Sequence, residues 1–503
     1  MLTLSRNLRF GRRDLFYISR RFNSSFQIDA TQLELESKEE LIPHLQKRGL
    51  IDSISSDDLR KFAQKTQLSL YCGADPTAKS LHLGNLLPLL ILVHFNIRGH
   101  SVVGLVGGAT GKVGDPSGRS SERTAMDSET RLDNTSRIKF QLADFLNSSK
   151  DYVKSLGFPV PDSSKTEVAD NFDWWKGVGL LEFLANYGKY IRVNSMLGRE
   201  SIKARLSSDA GIGFNEFTYQ ILQAYDFWHL YKNNNVTVQV GGNDQWGNIT
   251  AGIDFISRMK SFHSKDLKSL SKEEQEKQNE FKKLLEKPVF GLTVPLLTTA
   301  SGQKFGKSMG NAVFIDKNVT PSFEMYNYFM KSQDSELEKL LKIFTFIPLK
   351  QIDQILEEHS KDPSLRVGQR ILADQITRLI HGELETYNAS IIASILFPTP
   401  EQPYPTDIKT DQILKIFEDA NLLKKISKSD IIDKKFSEVL SKASGSSRTE
   451  ARNTVKSGGL YFGYDRARAD PTDSVLLTED LLIDGKLLLL RVGKAKYHIV
   501  EIL

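Results

Sequence analysis

The sequence predicts an α/β protein. A doubly wound parallel sheet forms the first and largest domain, an all-helical segment follows, and a small α+β domain closes the chain. Three observations lead there. From Leu68 to about Phe255, short apolar runs alternate with longer helix-like segments, the pattern of strands joined by crossover helices. Residues 319–396 carry mostly helical periodicity, as from Leu365 to His381. Residues 407–503 follow a proline-rich stretch, Phe397 to Pro405, and gain strand character toward their end.

Composition sets the frame. The chain has 503 residues, 40% hydrophobic and 26% charged, enough for about three domains with ordinary cores. One cysteine, Cys72, excludes an internal disulfide framework and a multi-cysteine zinc site. No apolar run reaches the roughly 18 residues that span a bilayer. The run Leu86 to Phe95 is too short and predicts a buried helix.

Residues 1–26 hold six arginines and one acid, Asp14, interleaved with Leu4, Leu8, Leu15, Phe16 and Ile18. This Arg-rich, acid-poor, amphipathic pattern describes a mitochondrial transit peptide, with a cut near Arg21-Phe22. Its net charge of +5 equals that of the whole chain, so the mature protein is near neutral. Nucleic-acid binding must then come from local basic patches. Leu68 to Cys72, Ser101 to Val106 and Val236 to Val240 read as buried parallel strands. Residues 259–288 read as an inserted, solvated, charged helix opened by a Ser271/Glu274 capping box and stopped by Pro288.

Two motifs carry chemistry. In the first, Tyr71-Cys72-Gly73-Ala74-Asp75-Pro76-Thr77-Ala78-Lys79-Ser80-Leu81-His82-Leu83-Gly84-Asn85, a strand ends near Gly73 and a helix begins near Leu81. Such a turn aims backbone N–H groups and a positive dipole end at a bound anion. His82 sits in the first helical turn, and Gly84 leaves space for a nucleotide. In the second, Lys304-Phe305-Gly306-Lys307-Ser308-Met309, two lysines lie between glycines and suit a triphosphate whose charge shifts during reaction. The run Gly107-Gly108-Ala109-Thr110-Gly111-Lys112-Val113 lacks P-loop spacing, and no dinucleotide fingerprint follows the first strand.

In this order, about 220 residues apart, the pair resembles the His-Ile-Gly-His and Lys-Met-Ser-Lys-Ser elements of class I aminoacyl-tRNA synthetases. Three further segments, Val106 to Arg119, Tyr219 to Asp226 and Gly241 to Asn248, resemble bacterial-type tyrosyl-tRNA synthetases; the leader points to the mitochondrial members. The resemblance runs from about residue 40 to the C-terminus, except for 259–288. It implies a Rossmann-like catalytic domain over 27–318, an anticodon-side helical domain over 319–396 and an S4-like RNA-binding domain over 407–503.

The resemblance also assigns roles. Tyr71 and Asp226 hold the tyrosine hydroxyl. Asp115, Tyr219 and Gln223 bind its ammonium, Asp75 lies near that amine and the nucleotide, and Gln245 lies near the reacting carboxylate. Tyr219, Gln223 and Asp226, at i, i+4 and i+7, share one helical face. Gly73, Gly84, Gly242 and Asp244 approach ATP, with Asp244 and Gly242 at its ribose. Thr77, His82 and Asn85 lie toward the γ-phosphate, and Lys304, Lys307, Arg119 and Arg123 supply positive charge. Asn85 replaces the family's frequent second histidine, and Arg119 a common lysine. ATP is a substrate accompanied by Mg²⁺, no metal-ligand cluster is visible, and a homodimer in the mitochondrial matrix is implied.

At the RNA end, Lys424 to Lys456 holds nine basic and four acidic residues. Arg448, Arg452 and Lys456, spaced by four after the Ser447/Glu450 capping box, form one phosphate-binding face. Two rivals stand beside tyrosine ligation: a non-catalytic RNA-binding scaffold, and tryptophan activation. A scaffold need not keep Tyr71, Asp226 and both loop lysines. Indole offers only an N–H to the Tyr71/Asp226 pair.

Overall fold

The apolar runs become the middle of a six-stranded sheet. A computed structural model describes residues 26–118, 126–207, 211–269, 278–298, 307–308, 311–398, 404–405, 407–493 and 496–503. The strands are β1 (Ser53–Ile54), β2 (Ser69–Ala74), β3 (Ser101–Val106), β4 (Thr166–Asp170), β5 (Val238–Gly242) and β6 (Phe290–Val294). Their order is β1-β6-β5-β2-β3-β4. All neighbours are parallel except β1 on β6. Leu70, Tyr71 and Cys72 are all buried, because helices cover both faces of a parallel sheet. Tyr71 lies in register between Val103 and Gln239.

From β2 the chain steps to β3 and β4, then returns to β5 on the other side of β2. The winding therefore reverses between β2 and β5, where open α/β sheets leave a crevice at the carboxyl ends of their strands. Helix α1 (Leu83–Asn96) follows β2 and is buried from Leu86 to Asn96 apart from Pro88, as its apolar run predicts. Helix α2 (Ser128–Ser155) joins β3 to β4, and α3 (Phe214–Asn234) precedes β5. Helix α4 (Trp246–Ser269) follows β5.

The 259–288 segment departs from the expected solvated helix. Its start continues α4, with Met259 buried, and a second helix, Asn279–Glu286, buries Leu284 and Leu285. The Tyr231 hydroxyl of α3 donates to the carbonyls of Leu284 and Lys287. The amphipathic face is thus spent on the sheet domain. The Ser271/Glu274 box and the 1–25 leader lie outside the described residues.

The chain forms two compact units, one holding Ser25–Thr320 with Lys331–Lys361, the other Pro321–Met330 with Asp362–Leu503. The 319–396 stretch is therefore divided. Two of its helices, Asp334–Phe344 and Leu349–Lys361, belong with the sheet. Arg48 explains why. Its guanidinium, 1% exposed, donates to the carbonyls of Lys342 (3.1 Å), Thr345 (2.9 Å) and Ile347 (2.6 Å) and pairs with Glu36 at 3.3 Å.

In the other unit, α5 (Ser322–Met330) packs on α6 (Val367–Leu396). Gly382, at φ 81° and ψ 179°, breaks α6 in a conformation essentially restricted to glycine. Strands β7 (Leu423–Ile426), β8 (Leu460–Phe462), β9 (Ala467–Arg468), β10 (Leu487–Val492) and β11 (Lys496–Ile502) form a sheet ordered β9-β8-β10-β11-β7. Helices α7 (Phe436–Ser444) and α8 (Arg448–Lys456) complete the α+β segment. Its Arg466 guanidinium donates to Leu396 O at 3.0 Å, satisfying a carbonyl at the end of α6.

Candidate active site

A cleft of about 350 Å³ opens at the carboxyl ends of β2 and β5, where the winding reverses. Tyr71, Asp75, Asp115, Tyr219, Gln223, Asp226 and Gln245 line it, with Gly73, Thr77, His82, Gly84, Asn85, Gly242 and Asp244. Apart from the loop lysines Lys304 and Lys307, the structure therefore gathers in one cavity every position assigned to tyrosine and ATP.

The deep end is built around Asp226, 2% exposed on α3. One carboxylate oxygen, Oδ1, accepts from the indole N–H of Trp174 (2.8 Å) and of Trp175 (2.7 Å). The other, Oδ2, accepts from Asn171 Nδ2 at 2.9 Å. Burial pushes the Asp226 carboxyl up to about 7, and these three donors pull against it. Tyr71, 1% exposed, leans on Phe227 at 5.3 Å, and its buried hydroxyl has no hydrogen-bond partner among the described residues. Burial first, and then the Asp226 charge, push that phenol well above its ordinary value. A neutral phenol and a carboxylate at one end of a cleft match a guest hydroxyl that donates to one and accepts from the other.

Nearer the middle, Asp75 Oδ2 accepts from Tyr219 Oη at 3.0 Å and Oδ1 from Thr110 Oγ1 at 3.0 Å. A Cβ on Gly107 would stand 2.0 Å from Asp75 Oδ1. The glycine run that resembles a phosphate loop instead makes room for an acid. Asp115, 7% exposed, accepts from Ser117 N (3.0 Å) and Gln245 Nε2 (2.7 Å). Asn248 Nδ2 ties this corner together, reaching Ser117 Oγ (3.2 Å), Gln223 Oε1 (3.1 Å) and Gln245 Oε1 (3.2 Å). Two aspartates, Asp75 and Asp115, in the cleft that ends at Asp226 suit a ligand with an ammonium.

At the mouth, His82 caps α1. The Asn85 side-chain oxygen accepts the His82 backbone N–H at 3.0 Å, which leaves the Asn85 amide N–H₂ to donate. A Cβ on Gly84 would lie 2.9 Å from His82 Cε1, so this glycine makes room for the imidazole. The chain beyond the lysine motif is zipped to the same segment: Leu83 N donates to Val313 O (3.0 Å) and Ile315 N to Leu81 O (2.9 Å). Lys304, Arg119, Arg123 and the Lys307 side chain lie outside the described residues. Cys72 is buried and its thiol is pushed up to about 12, an inert apolar filler.

Sequence reasoning missed Asn171, Trp174 and Trp175, together with Thr110, Ser117 and Asn248. A signal existed: two of the chain's four tryptophans stand side by side just after the end of β4.

A sequence model of the family described as tRNA synthetases class I (W and Y) matches residues 63–397. The chain belongs to this family of class I aminoacyl-tRNA synthetases. It is 41% identical over 490 residues to the mitochondrial tyrosine–tRNA ligase of Saccharomyces cerevisiae, covering 95% of this chain and 93% of that one. It is 36% identical over 457 residues to the mitochondrial tyrosine–tRNA ligase of Drosophila melanogaster, covering 90% and 91%. Among solved structures it resembles a C-terminally truncated mitochondrial tyrosyl-tRNA synthetase of Aspergillus nidulans, with TM-score 0.64, 34% identity, and coverage of 76% of this chain and 99% of that one.

Proposed function

We infer that the enzyme activates tyrosine with ATP and ligates it to tRNA in the mitochondrion, and that the residues of the cleft divide the work as follows. The tyrosine ring enters beside Tyr71. Its hydroxyl donates to Asp226 and accepts from Tyr71; phenylalanine leaves the Tyr71 hydroxyl without a partner and the last acceptor position of Asp226 unfilled. The ammonium meets Asp115, Tyr219 and Gln223, with Asp75 behind Tyr219. ATP lies over Gly73 with its ribose toward Gly242 and Asp244. Its phosphates reach Thr77, His82 and the Asn85 amide, and Lys304 and Lys307 close on them.

The first step needs no base. The tyrosine carboxylate oxygen bonds to the α-phosphorus as the bond to pyrophosphate breaks, and the site contributes position and charge stabilisation. A ribose hydroxyl of the terminal tRNA nucleotide then attacks the acyl carbon and AMP leaves. Mg²⁺ travels with the ATP phosphates, which supply oxygen ligands. The exposed face of Arg448, Arg452 and Lys456, none of which forms an ion pair among the described residues, supports a phosphate contact with tRNA. Exposed Leu180, Leu181, Leu184 and Phe214 support a homodimer, since apolar surface of this kind marks an interface. The sheet domain would carry catalysis, and the 407–503 segment RNA binding, in the mitochondrial matrix.

The observation that carries this reading is the Tyr71 hydroxyl, without a partner among the described residues, beside Asp226 at the deep end of the cleft. Indole donates but does not accept, so it leaves Tyr71 unsatisfied; this separates tyrosine from tryptophan. The test is pyrophosphate exchange with each amino acid in turn. Exchange with tyrosine is expected. Exchange with tryptophan alone, or with none, rejects the assignment.

A further inference from the structure

The inference concerns the second tryptophan, and it rests on Asp226 meeting the substrate hydroxyl as above. A carboxylate has about four acceptor positions, two on each oxygen. On Asp226, Oδ1 uses both, one on Trp174 and one on Trp175. Oδ2 uses one, on Asn171. One acceptor position is left, on Oδ2. Asn171 and Asp226 line the cleft, whereas neither indole does. The indoles therefore hold the carboxylate from behind.

Each of these donors is itself fixed. Trp174 stacks on His229, with ring centres 4.3 Å apart and planes 15° apart. Trp175 packs on Tyr225 at 4.8 Å and Phe183 at 5.3 Å. The Asn171 side-chain oxygen accepts from Ala109 N at 2.7 Å, so its N–H₂ must face Thr110 Oγ1 (2.9 Å) and Asp226. Rotating the carboxylate to any other setting breaks two indole bonds at once.

We propose that Trp175 is a positioning residue for amino-acid recognition: with Trp174 it saturates one oxygen of Asp226, so that the other is presented to the substrate hydroxyl as a fixed, charged acceptor. The groups facing Asp226 are Tyr71 from β2 and Asp75 just beyond its end, Asn171 and the two indoles from the segment after β4, and Tyr219 and Tyr225 from α3 itself. His229 reaches it only through Trp174. Of these, Asp75 carries a like charge and opposes ionisation, as burial does. The indoles and Asn171 are the counterweight. Removing one donor must therefore raise the pH at which Asp226 ionises.

The test uses the full chain and tyrosine-dependent pyrophosphate exchange. Tyrosine concentration is varied between pH 5.5 and 9 for the parent, Trp175→Phe, and a protein carrying the benzothiophene analogue of tryptophan at 175. The analogue keeps the bicyclic shape and puts a sulfur, which cannot donate, where the N–H was, and it decides the matter if Trp175→Phe misfolds. Since kcat/KM reports the free enzyme, its acid limb should have a midpoint near 7 in the parent and move up by about one pH unit without the donor. KM for tyrosine should rise about fivefold at pH 7, as the ionised fraction falls from about one half to about one eleventh, with kcat within threefold, and the loss should shrink toward pH 9. An unmoved midpoint, or a loss equal at every pH, means that Trp175 only fills space and overturns the proposal. Asp226→Asn separates the two claims. If it leaves KM for tyrosine unchanged, the hydroxyl assignment itself falls. If it raises KM while the analogue changes nothing, only the role of Trp175 falls.

Discussion

Replacing Gly84 with alanine should disable the nucleotide end of the site without harming the fold. The new Cβ would lie 2.9 Å from Cε1 and 3.0 Å from Nδ1 of His82. Apolar contacts settle at about 3.5–4.0 Å, so the imidazole must retreat by roughly 0.5–1 Å. The backbone need not follow, because a side-chain ring is the group in the way. A displacement of about 1 Å costs on the order of 10²-fold in rate, and loss of a charge-stabilising donor about 2.7–4 kcal/mol. Exchange kcat at saturating tyrosine and ATP should therefore fall roughly 10²–10³-fold. KM for tyrosine should stay within threefold, since Tyr71 and Asp226 are untouched. Helix propensity favours alanine by up to about 1 kcal/mol, so the melting temperature should hold or rise. A Gly84→Ala enzyme with normal exchange would refute both the clash and the role given to His82. A fall in melting temperature would show that the helix moved instead of the ring.

Three other outcomes are expected. Replacing Arg448, Arg452 and Lys456 together with alanine should leave tyrosine-dependent exchange unchanged and weaken tRNA charging; the slope of log affinity for tRNA against log salt should become shallower by about 2–3. Arg48→Leu would leave Glu36 and three backbone carbonyls buried without their donor, a loss of about 3–5 kcal/mol, read as a lower denaturant midpoint for the sheet unit. Asn248→Ala removes the amide shared by Ser117, Gln223 and Gln245; KM for tyrosine in exchange should rise about tenfold while the melting temperature stays within a few degrees.

What the sequence revealed was local. Apolar runs bounded by turn residues mark β2, β3 and β5, because buried parallel strands need no alternation. The face shared by Tyr219, Gln223 and Asp226 follows from helical spacing alone. What it hid was non-local. The grip on Asp226 comes from residues more than 50 positions earlier, and nothing near Trp174 or Trp175 announces an acceptor. Leu284 and Leu285 sit in a mixed-charge stretch, and their burial depends on Tyr231, 53 residues before Leu284. The 331–361 helices look like the rest of the helical region until Arg48, nearly 300 positions away, claims their carbonyls. Composition cannot show a partner that far off.

The break in α6 has a mechanical meaning. An unbroken helix from Val367 would be a single rod; with Gly382 it becomes two arms, and the second runs about 22 Å to Leu396 at 1.5 Å per residue. The terminal α+β segment is fastened to the tip of that arm through Arg466. Turning the elbow by about 20° would swing the tip by about 8 Å, more than the rise of a full helical turn. Where the basic face of α8 points is therefore governed by one backbone torsion that a side chain would forbid, so a substitution at the elbow can redirect that face without touching it.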